Sequence, residues 1–515
     1  MAHDRNRPND WKRPTESDDE QEIEQRPTRA LQARYVPDAH PLHTGNPLID
    51  ALPVIRSDAE WIAQLANVPK VNPQEQTLES HVRSYKVSLL KRLFIPTAEH
   101  RRLARRVDQM IRWGYENRPP DSPERTALLQ TAYERAQNVG TAVKIVFAET
   151  QPICTSSLIG CSGMGKSTGV ESILGSIPQS LYHPDYRMTQ IVWLKVDCPR
   201  NGSVADLARA ILRAFDRVLG TDFVARIGSR EGPDVLLAQA AVYALANHLG
   251  ILVLDEMQNL TVKKSGGREE MLNWFQSLVN EFKIPIFLMG TYKARAVLGL
   301  NMRHARRGAV VGSSTWDPLP NGPEFAYLVK KMWQYSWLRE PGELTQEMVD
   351  SIHEETQGVR AFIIDMFLVA QLHALWKGVE TITPDLLRTV ARTEFSPVQP
   401  MLSALRSKDL KRLQKFEDLV DFDLDSEIER LRQLIPAVGS SGPAAPYASM
   451  TAEAASNVQL ALGVSAVDAK QLVLRAVKDS HKSARALTEA AVRLYMTEHP
   501  SADESHDDAA IPQEA

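Results

Sequence analysis

The sequence predicts an α/β fold: a parallel sheet carrying a phosphate-binding loop, then a helical lid, with helical extensions at the N- and C-terminal ends. Three observations carry the prediction. Gly160-Cys161-Ser162-Gly163-Met164-Gly165-Lys166-Ser167 fits G-x-x-x-x-G-K-[ST], the pattern of a loop that cradles phosphates. Across residues 141–323 short apolar, β-branched runs alternate with helical patterns, as in a sheet buried on both faces. Two carboxylates, Asp255 and Glu256, follow the apolar run 251–254, at the strand end where ligands of such sheets bind.

Bulk properties narrow the class. The 515 residues leave room for about two to four domains, and a hydrophobic content of 43% supports a real core. A net charge of −4 gives no global nucleic-acid signature, so any DNA surface must be a local patch. Cys154, Cys161 and Cys198 form no C-x-x-C pair and are odd in number, which fits a reducing cytoplasm. Cys161 lies inside the phosphate loop and reads as a small filler rather than a redox group. No apolar run reaches membrane-spanning length and no signal sequence is visible, so a cytoplasmic protein without a membrane partner is expected.

Taken in order, residues 1–43 are expected to be disordered, because apolar surface there is too scarce to offset ordering entropy. Residues 44–140 read as a helical N-terminal extension. Its apolar patch at 46–53 is either a docking segment or packs on its own domain. The clearest helix spans 97–114: Thr97 caps it, Leu103, Val107, Met110 and Ile111 form one face, and Gly114 stops it. Arg101, Arg102, Arg105, Arg106 and Arg112 crowd its other faces, as a solvated surface or as phosphate contacts.

In the α/β region, 141–323, strands are predicted at 156–159, 191–196, 251–254 and 284–289. Helices are predicted from Thr168 onward and at 204–219, 233–249 and 268–282. Residues 324–432 read as a helical lid and C-terminal helices, punctuated by Pro341-Gly342, Pro384 and Pro397. A Gly/Pro/Ser linker (433–451), a small alanine-rich helical unit (452–497) and an acidic disordered tail (498–515) follow.

The residue types assign a chemistry. Backbone N–H groups from Gly160 through Thr168 can close around phosphates at a helix N-terminus. Lys166 reaches the β- and γ-phosphates of ATP, and the Ser167 hydroxyl binds Mg²⁺. Asp255 holds the same ion, and Glu256 is the general base for the attacking water. Thr291, after Met289-Gly290, senses the γ-phosphate and positions water, or caps the next helix. In ring-forming ATPases an arginine after the following helix enters the neighbour's site; Arg306 and Arg307 both fit that role. Arg360, opening a lid helix after Gly358-Val359, either contacts the γ-phosphate or is a surface residue.

Two basic patches are candidate DNA contacts or plain solvated charge. Arg209, Arg213 and Arg217 repeat every four residues opposite the buried face of their helix, and Lys263 and Lys264 precede a Ser265-Gly266-Gly267 loop. The histidines show no metal-ligand spacing, so no metal beyond Mg²⁺ is expected.

These motifs together resemble a known family. The phosphate loop, Lys195-Val196-Asp197-Cys198, Asn201-Gly202-Ser203, Asp255-Glu256-Met257-Gln258, Glu270-Met271-Leu272-Asn273, Gly290-Thr291, Ala305-Arg306-Arg307-Gly308 and Trp316-Asp317-Pro318 resemble TnsC. TnsC proteins are AAA+ ATP-dependent target-selection regulators of cut-and-paste bacterial transposons. The similarity extends to the 46–53 patch and to Pro397-Val398-Gln399-Pro400-Met401-Leu402, covering roughly residues 44–430. It implies an AAA+ P-loop NTPase with Mg²⁺-ATP between subunits of a ring or helical oligomer on double-stranded DNA. It implies recruitment of a transposase, recruitment by a target-selection protein, reset by ATP hydrolysis, and protection of an occupied target from a second insertion. The residues alone also fit another AAA+ ATPase, such as a helicase loader or a secretion-associated ATPase.

Overall fold

The computed structural model describes residues 30–36, 45–116, 118–137, 155–228, 231–260, 262–282, 284–294, 310–407, 424–435, 447–462, 464–465, 468–469, 472–473 and 484–498. The first element, β1 (Leu31–Gln32), lies in the stretch expected to be disordered. It pairs in parallel with residues 181–182, and the Ala33 N–H donates to the Tyr182 carbonyl at 2.7 Å. The ordering comes from a borrowed strand edge, which composition does not reveal, so the expectation of disorder fails at 30–36.

The extension comprises α1 (Pro47–Asp50), α2 (Asp58–Leu65), α3 (Ser80–Val87), α4 (Ala98–Glu116) and α5 (Pro123–Gln137). Asn46 caps α1 by accepting from the Leu48 N–H, and Ser57 with Glu60 forms a capping box on α2. The 46–53 patch packs on its own domain: Leu48 and Ile49 are buried, and the Asn46 amide donates to the Tyr115 carbonyl at 2.9 Å. Helix α4 runs two residues past Gly114, which serves a close approach instead of a stop. A Cβ there would meet the Pro285 ring at 2.6 Å.

The arginines of α4 have internal partners. Arg101 and Arg105 pair with Asp58, Arg102 with Glu99 and Arg112 with Asp108, and Arg106 donates to the Ser314 hydroxyl. Those partners account for the basic face without a phosphate.

The core comprises β2 (Thr155–Gly160), α6 (Lys166–Gly175), β3 (Ser180–His183), β4 (Met188–Ile191), β5 (Trp193–Asp197) and α7 (Val204–Leu219). It continues with α8 (Pro233–Ala246), β6 (Ile251–Asp255), α9 (Arg268–Phe282), β7 (Ile286–Gly290) and β8 (Val310–Trp316). Five strands form a parallel sheet in the order β5-β6-β7-β2-β8. A second sheet, β1-β3-β4, contains an antiparallel β3-β4 hairpin.

Two strand expectations need correction. The run 191–196 is divided: Ile191 ends the hairpin and Trp193 starts the main sheet. Both halves are apolar because both are buried. The edge strand β8 has no counterpart among the expected strands, since Gly312 and Ser313-Ser314-Thr315 read as loop. Its hydroxyl-rich register is matched by β2, where Ser156 donates to the Gly312 carbonyl at 2.6 Å and Ser157 to the Ser313 hydroxyl at 3.0 Å.

The lid comprises α10 (Pro323–Trp333), α11 (Gln346–Thr356), α12 (Arg360–Lys377), α13 (Pro384–Thr393) and α14 (Gln399–Arg406), followed by α15 (Leu424–Leu434). Helix α12 is apolar around most of its circumference and is buried by its neighbours. Helices α16 (Tyr447–Leu462) and α17 (Ala484–Glu498) pack through Ala454, Val458, Leu487 and Ala491. Among the described residues, no single helix is long and apolar enough to cross a membrane.

The extension grips both the core and the lid. On the core side, the Tyr115 hydroxyl donates to the His248 carbonyl at 2.8 Å and Arg118 to the Leu249 carbonyl at 3.1 Å. On the lid side, the fully buried Arg83 donates to both Glu380 oxygens at 2.5 and 2.6 Å and to the Trp337 carbonyl at 2.9 Å. The Trp337 indole in turn donates to Glu75 at 2.8 Å.

Candidate nucleotide site

The phosphate loop leaves the end of β2 and runs into α6. Gly163 and Gly165 adopt φ of +78° and +79°, left-handed backbone that a side chain would strain. The loop is pinned to the edge strand: the Cys161 N–H donates to the Trp316 carbonyl at 3.2 Å. Cys161 and Met164 are buried, in keeping with a filler role for Cys161. The lid touches the loop directly, because the Ala361 N–H at the start of α12 donates to the Gly163 carbonyl at 2.9 Å. Lys166 is buried, and its ammonium donates to the Gly160 and Cys161 carbonyls at 2.9 and 2.8 Å.

Parallel pairing of β6 beside β7 brings the acidic and sensing residues to the same end of the sheet. Asp255, 2% exposed, closes β6 and accepts the Glu256 N–H at 2.8 Å. Lys195 on neighbouring β5 lies 3.4 Å from Asp255, 2.7 Å from Asp197 and 3.1 Å from Glu171. Burial alone would lower the Lys195 pKa, but hydrogen bonding to Asp197 and the charge of Asp255 outweigh it and raise it. Lys195 is therefore a fixed cation that offsets the buried carboxylate.

Glu256 has φ of +57°, a left-handed conformation that strains a residue bearing a side chain. Its carboxyl is pushed above the ordinary range by burial and then by the charge of Asp255, with Lys166 opposing. Gln258 joins two of the expected residues: its amide nitrogen donates to the Glu256 carboxylate, and its amide oxygen accepts the Thr291 N–H at 3.0 Å. The Thr291 hydroxyl is buried with no hydrogen-bond partner. Thr291 lines the cleft, and its hydroxyl caps no helix among the described residues. Gln258 belongs to the Asp-Glu-Met-Gln stretch, but its bridging role depends on the β6-β7 neighbourhood.

Ser162, Gly163, Gly165, Lys166, Ser167, Thr168, Glu256 and Thr291 line a cleft of about 440 Å³. Much of the remaining wall is apolar, with Lys91, Arg360 and Asp365 beside it. The extension contributes Leu93, Phe94, Ile95 and His100, and the lid contributes Leu328, Met332 and Ile364. None of these apolar wall residues is marked by a sequence motif. Arg360 is buried in the cleft wall, which excludes the surface reading. Its guanidinium donates to the Thr97 hydroxyl at 2.9 Å, and burial lowers its pKa to about 10 against the opposing pull of Glu324 and Glu99.

The donor set suits Mg²⁺: a hydroxyl, Ser167, at the first turn of α6 and a carboxylate, Asp255, at the end of β6 are hard oxygen ligands. Among the described residues, no cluster of three or more His, Cys, Asp or Glu side chains forms a separate metal site.

The remaining expected residues lie elsewhere. Arg306 and Arg307 fall outside the described residues. Arg213 and Arg217 are exposed on α7, and Lys263 and Lys264 are exposed in a short 3₁₀ turn. Arg209 is committed in part to its own domain, donating to the Glu231 carbonyl at 3.1 Å. The two basic patches adjoin at Asp206. Its pKa is lowered first by hydrogen bonding from Ser203 and further by the charges of Lys264 and Arg209.

A family model described as an AAA domain matches residues 155–298, the stretch holding the phosphate loop, Asp255, Glu256, Gln258 and Thr291. No curated protein matches the chain. Solved structures with similarity include the Aeropyrum pernix ORC1 protein in complex with DNA, at 14% identity, covering 73% of this chain and 85% of that one, with a TM-score of 0.34. Cdc6p from Pyrobaculum aerophilum follows at 15% identity, 62% and 89% coverage, and a TM-score of 0.33. Drosophila ORC bound to DNA has 12% identity, 74% and 86% coverage, and a TM-score of 0.29. At such scores these structures carry no argument about function. The fold is α/β AAA+, with a five-stranded parallel sheet under a helical lid.

Proposed function

We propose that this chain is an ATP-hydrolysing regulator of DNA transposition whose nucleotide state controls its assembly on double-stranded DNA. The ATPase part rests on one observation above the rest: the phosphate loop, Glu256 and Thr291 line a single cleft that the lid contacts, with Gln258 bridging Glu256 and Thr291 behind it. In this reading Lys166 exchanges its two loop carbonyls for oxygens of the β- and γ-phosphates. Glu256 takes a proton from water as the water oxygen attacks the γ-phosphorus and ADP leaves. Gln258 fixes the carboxylate relative to Thr291, whose unused hydroxyl holds the attacking water or a γ-phosphate oxygen. Ser167 and Asp255 would hold Mg²⁺, which when bound neutralises phosphate charge. Arg360 approaches from the lid, and Arg306 or Arg307 from a neighbouring subunit.

The transposition part is supported by the residue-by-residue resemblance to TnsC, which brings with it self-assembly, a transposase and a target-selection protein as partners. The exposed charges on α7 and the adjoining lysine turn supply a basic surface on a chain of net charge −4.

Electron microscopy of the full chain with double-stranded DNA and a non-hydrolysable ATP analogue tests the assembly. Rings or filaments are expected with the analogue, and none with Lys166→Ala. Assembly that ignores nucleotide, or that persists in Lys166→Ala, refutes nucleotide-gated binding. A transposase pull-down that is indifferent to the analogue refutes the regulatory role.

A further inference from the structure

We propose that His100 is a specificity-determining residue that donates a hydrogen bond from Nε2 to an acceptor on the nucleoside of the bound nucleotide. The proposal rests on the nucleotide reading of the cleft and extends it to the half that the phosphate loop does not explain.

His100 sits in the first turn of α4, 1% exposed, and lines the cleft. Its ring meets Phe94 at 4.9 Å and Trp316 at 4.8 Å between centroids, both edge-on, so its orientation is fixed. The Thr97 backbone N–H donates to Nδ1 at 3.2 Å, and the Thr97 hydroxyl lies 3.0 Å from the same atom. An atom that accepts a backbone N–H carries a lone pair and no hydrogen. The ring is also neutral, because burial and the nearby Arg360 charge push its pKa down to about 3. The one ring hydrogen is therefore on Nε2.

That Nε2–H is buried and has no hydrogen-bond partner. A buried donor left unpaired is costly, which points to a partner that arrives with the ligand. Its place identifies the part of the ligand. A Cβ built on Gly169 would lie 3.3 Å from Nε2, and Gly169 follows directly on Thr168, the last residue of the phosphate-facing turn. Phe94, which with Leu93 and Ile95 also lines the cleft, packs edge-on against the same ring. With its phosphates in the loop, a nucleoside triphosphate would bring its sugar oxygens and base ring nitrogens to the rest of this wall. These are acceptors, and a donor built for one of them rejects analogues that lack it.

The test measures equilibrium binding of ATP and four analogues (2′-deoxy, 3′-deoxy, 3-deaza and 7-deaza) to the full chain, His100→Phe and His100→Gln. Phenylalanine keeps the ring packing and removes the donor, whereas glutamine restores an N–H. His100→Phe is expected to weaken ATP about tenfold, near 1.4 kcal/mol, with partial recovery in His100→Gln. One analogue should bind the unsubstituted chain about tenfold more weakly than ATP yet bind His100→Phe no more weakly than ATP does; that analogue tells sugar from base. Unchanged ATP affinity in His100→Phe, or equal analogue losses in both proteins, overturns the proposal. If His100→Phe does not fold, uniform affinity across the four analogues for the unsubstituted chain overturns it as well. Lys166→Ala is the separate control: if it still binds ATP, the nucleotide reading itself fails, independently of His100.

Discussion

Arg83→Ala should unhook the N-terminal extension from the lid while leaving the sheet intact. The guanidinium is fully buried and donates to both Glu380 oxygens, the Trp337 and Leu78 carbonyls and the Ser80 hydroxyl. Removing one partner of a buried ion pair costs about 3–5 kcal/mol, because the other is left uncompensated. Glu380 is not wholly abandoned. It keeps the Arg339 N–H at 3.0 Å and the Arg339 guanidinium at 3.7 Å, and its side chain is 15% exposed. The lower end, about 3 kcal/mol, is therefore expected, or roughly a 150-fold rise in local opening.

Native-state hydrogen exchange reads this directly: amides of α3 and the C-terminal half of α12 should lose protection by about two decades, with β6 unchanged. Burial alone would raise the Glu380 pKa, but hydrogen bonds from Arg83 and Arg339 lower it. A depressed carboxyl stabilises the fold above its unfolded pKa and loses that contribution as pH falls through its folded pKa. The acid sensitivity of lid opening should therefore shrink in Arg83→Ala. A double-mutant cycle with Glu380→Gln completes the assay. Effects that add within about 0.5 kcal/mol, or protection lost equally across β6, would refute the clamp.

Two further outcomes concern catalysis. Gln258→Ala should leave ATP affinity within about twofold but slow single-turnover hydrolysis by about 10–100-fold, from loss of one charge-assisted hydrogen bond of about 1.5–3 kcal/mol; unchanged turnover would return Gln258 to a packing role. Glu256 acts as a base only when ionised, and burial with Asp255 raises its pKa above 4.5, so kcat/KM should rise with pH through that raised value; an acid limb at or below 4.5, or one that survives in Glu256→Gln, contradicts the assignment.

The residues that the sequence made legible are those whose role is local. The phosphate loop needs glycines, a lysine and a helix start within one short stretch, so pattern and geometry coincide. Asp255 and Glu256 are legible because four apolar residues place them at a strand end. Gln258, Lys195 and His100 act through neighbours that are distant in sequence. Gln258 becomes a bridge only because β7 lies beside β6, and Lys195 a counter-ion only because β5 lies on the other side. His100 falls on the buried stripe of α4, where a histidine is indistinguishable from core by spacing. Strand β8 was hidden for a related reason: its serines bond to serines of β2, so the register is carried by hydroxyls and not by apolar alternation.

The cleft wall at residues 91–95 ties these parts together mechanically. Residues 91–95 form the link between α3, fastened to the lid through Arg83 and Glu380, and α4, fastened to the core through Tyr115 and His248. The backbone of Phe94 is held as well, exchanging hydrogen bonds with Asn67 at 2.7 and 3.0 Å. A nucleoside in this cleft would therefore meet a segment whose flanks are fastened to lid and core respectively. Lid opening would then have to carry that segment with it or pull it away from such a ligand. A ligand shifts such an equilibrium only by its differential affinity for the two arrangements. Wall residues from core, extension and lid line one cleft while the Ala361 N–H holds the Gly163 carbonyl, so a nucleotide seated there is expected to favour that arrangement. By reciprocity, whatever restrains the lid from outside must tighten nucleotide binding by the same factor. A partner subunit or DNA that holds α3 or α12 would thus be felt at the phosphate loop without touching it.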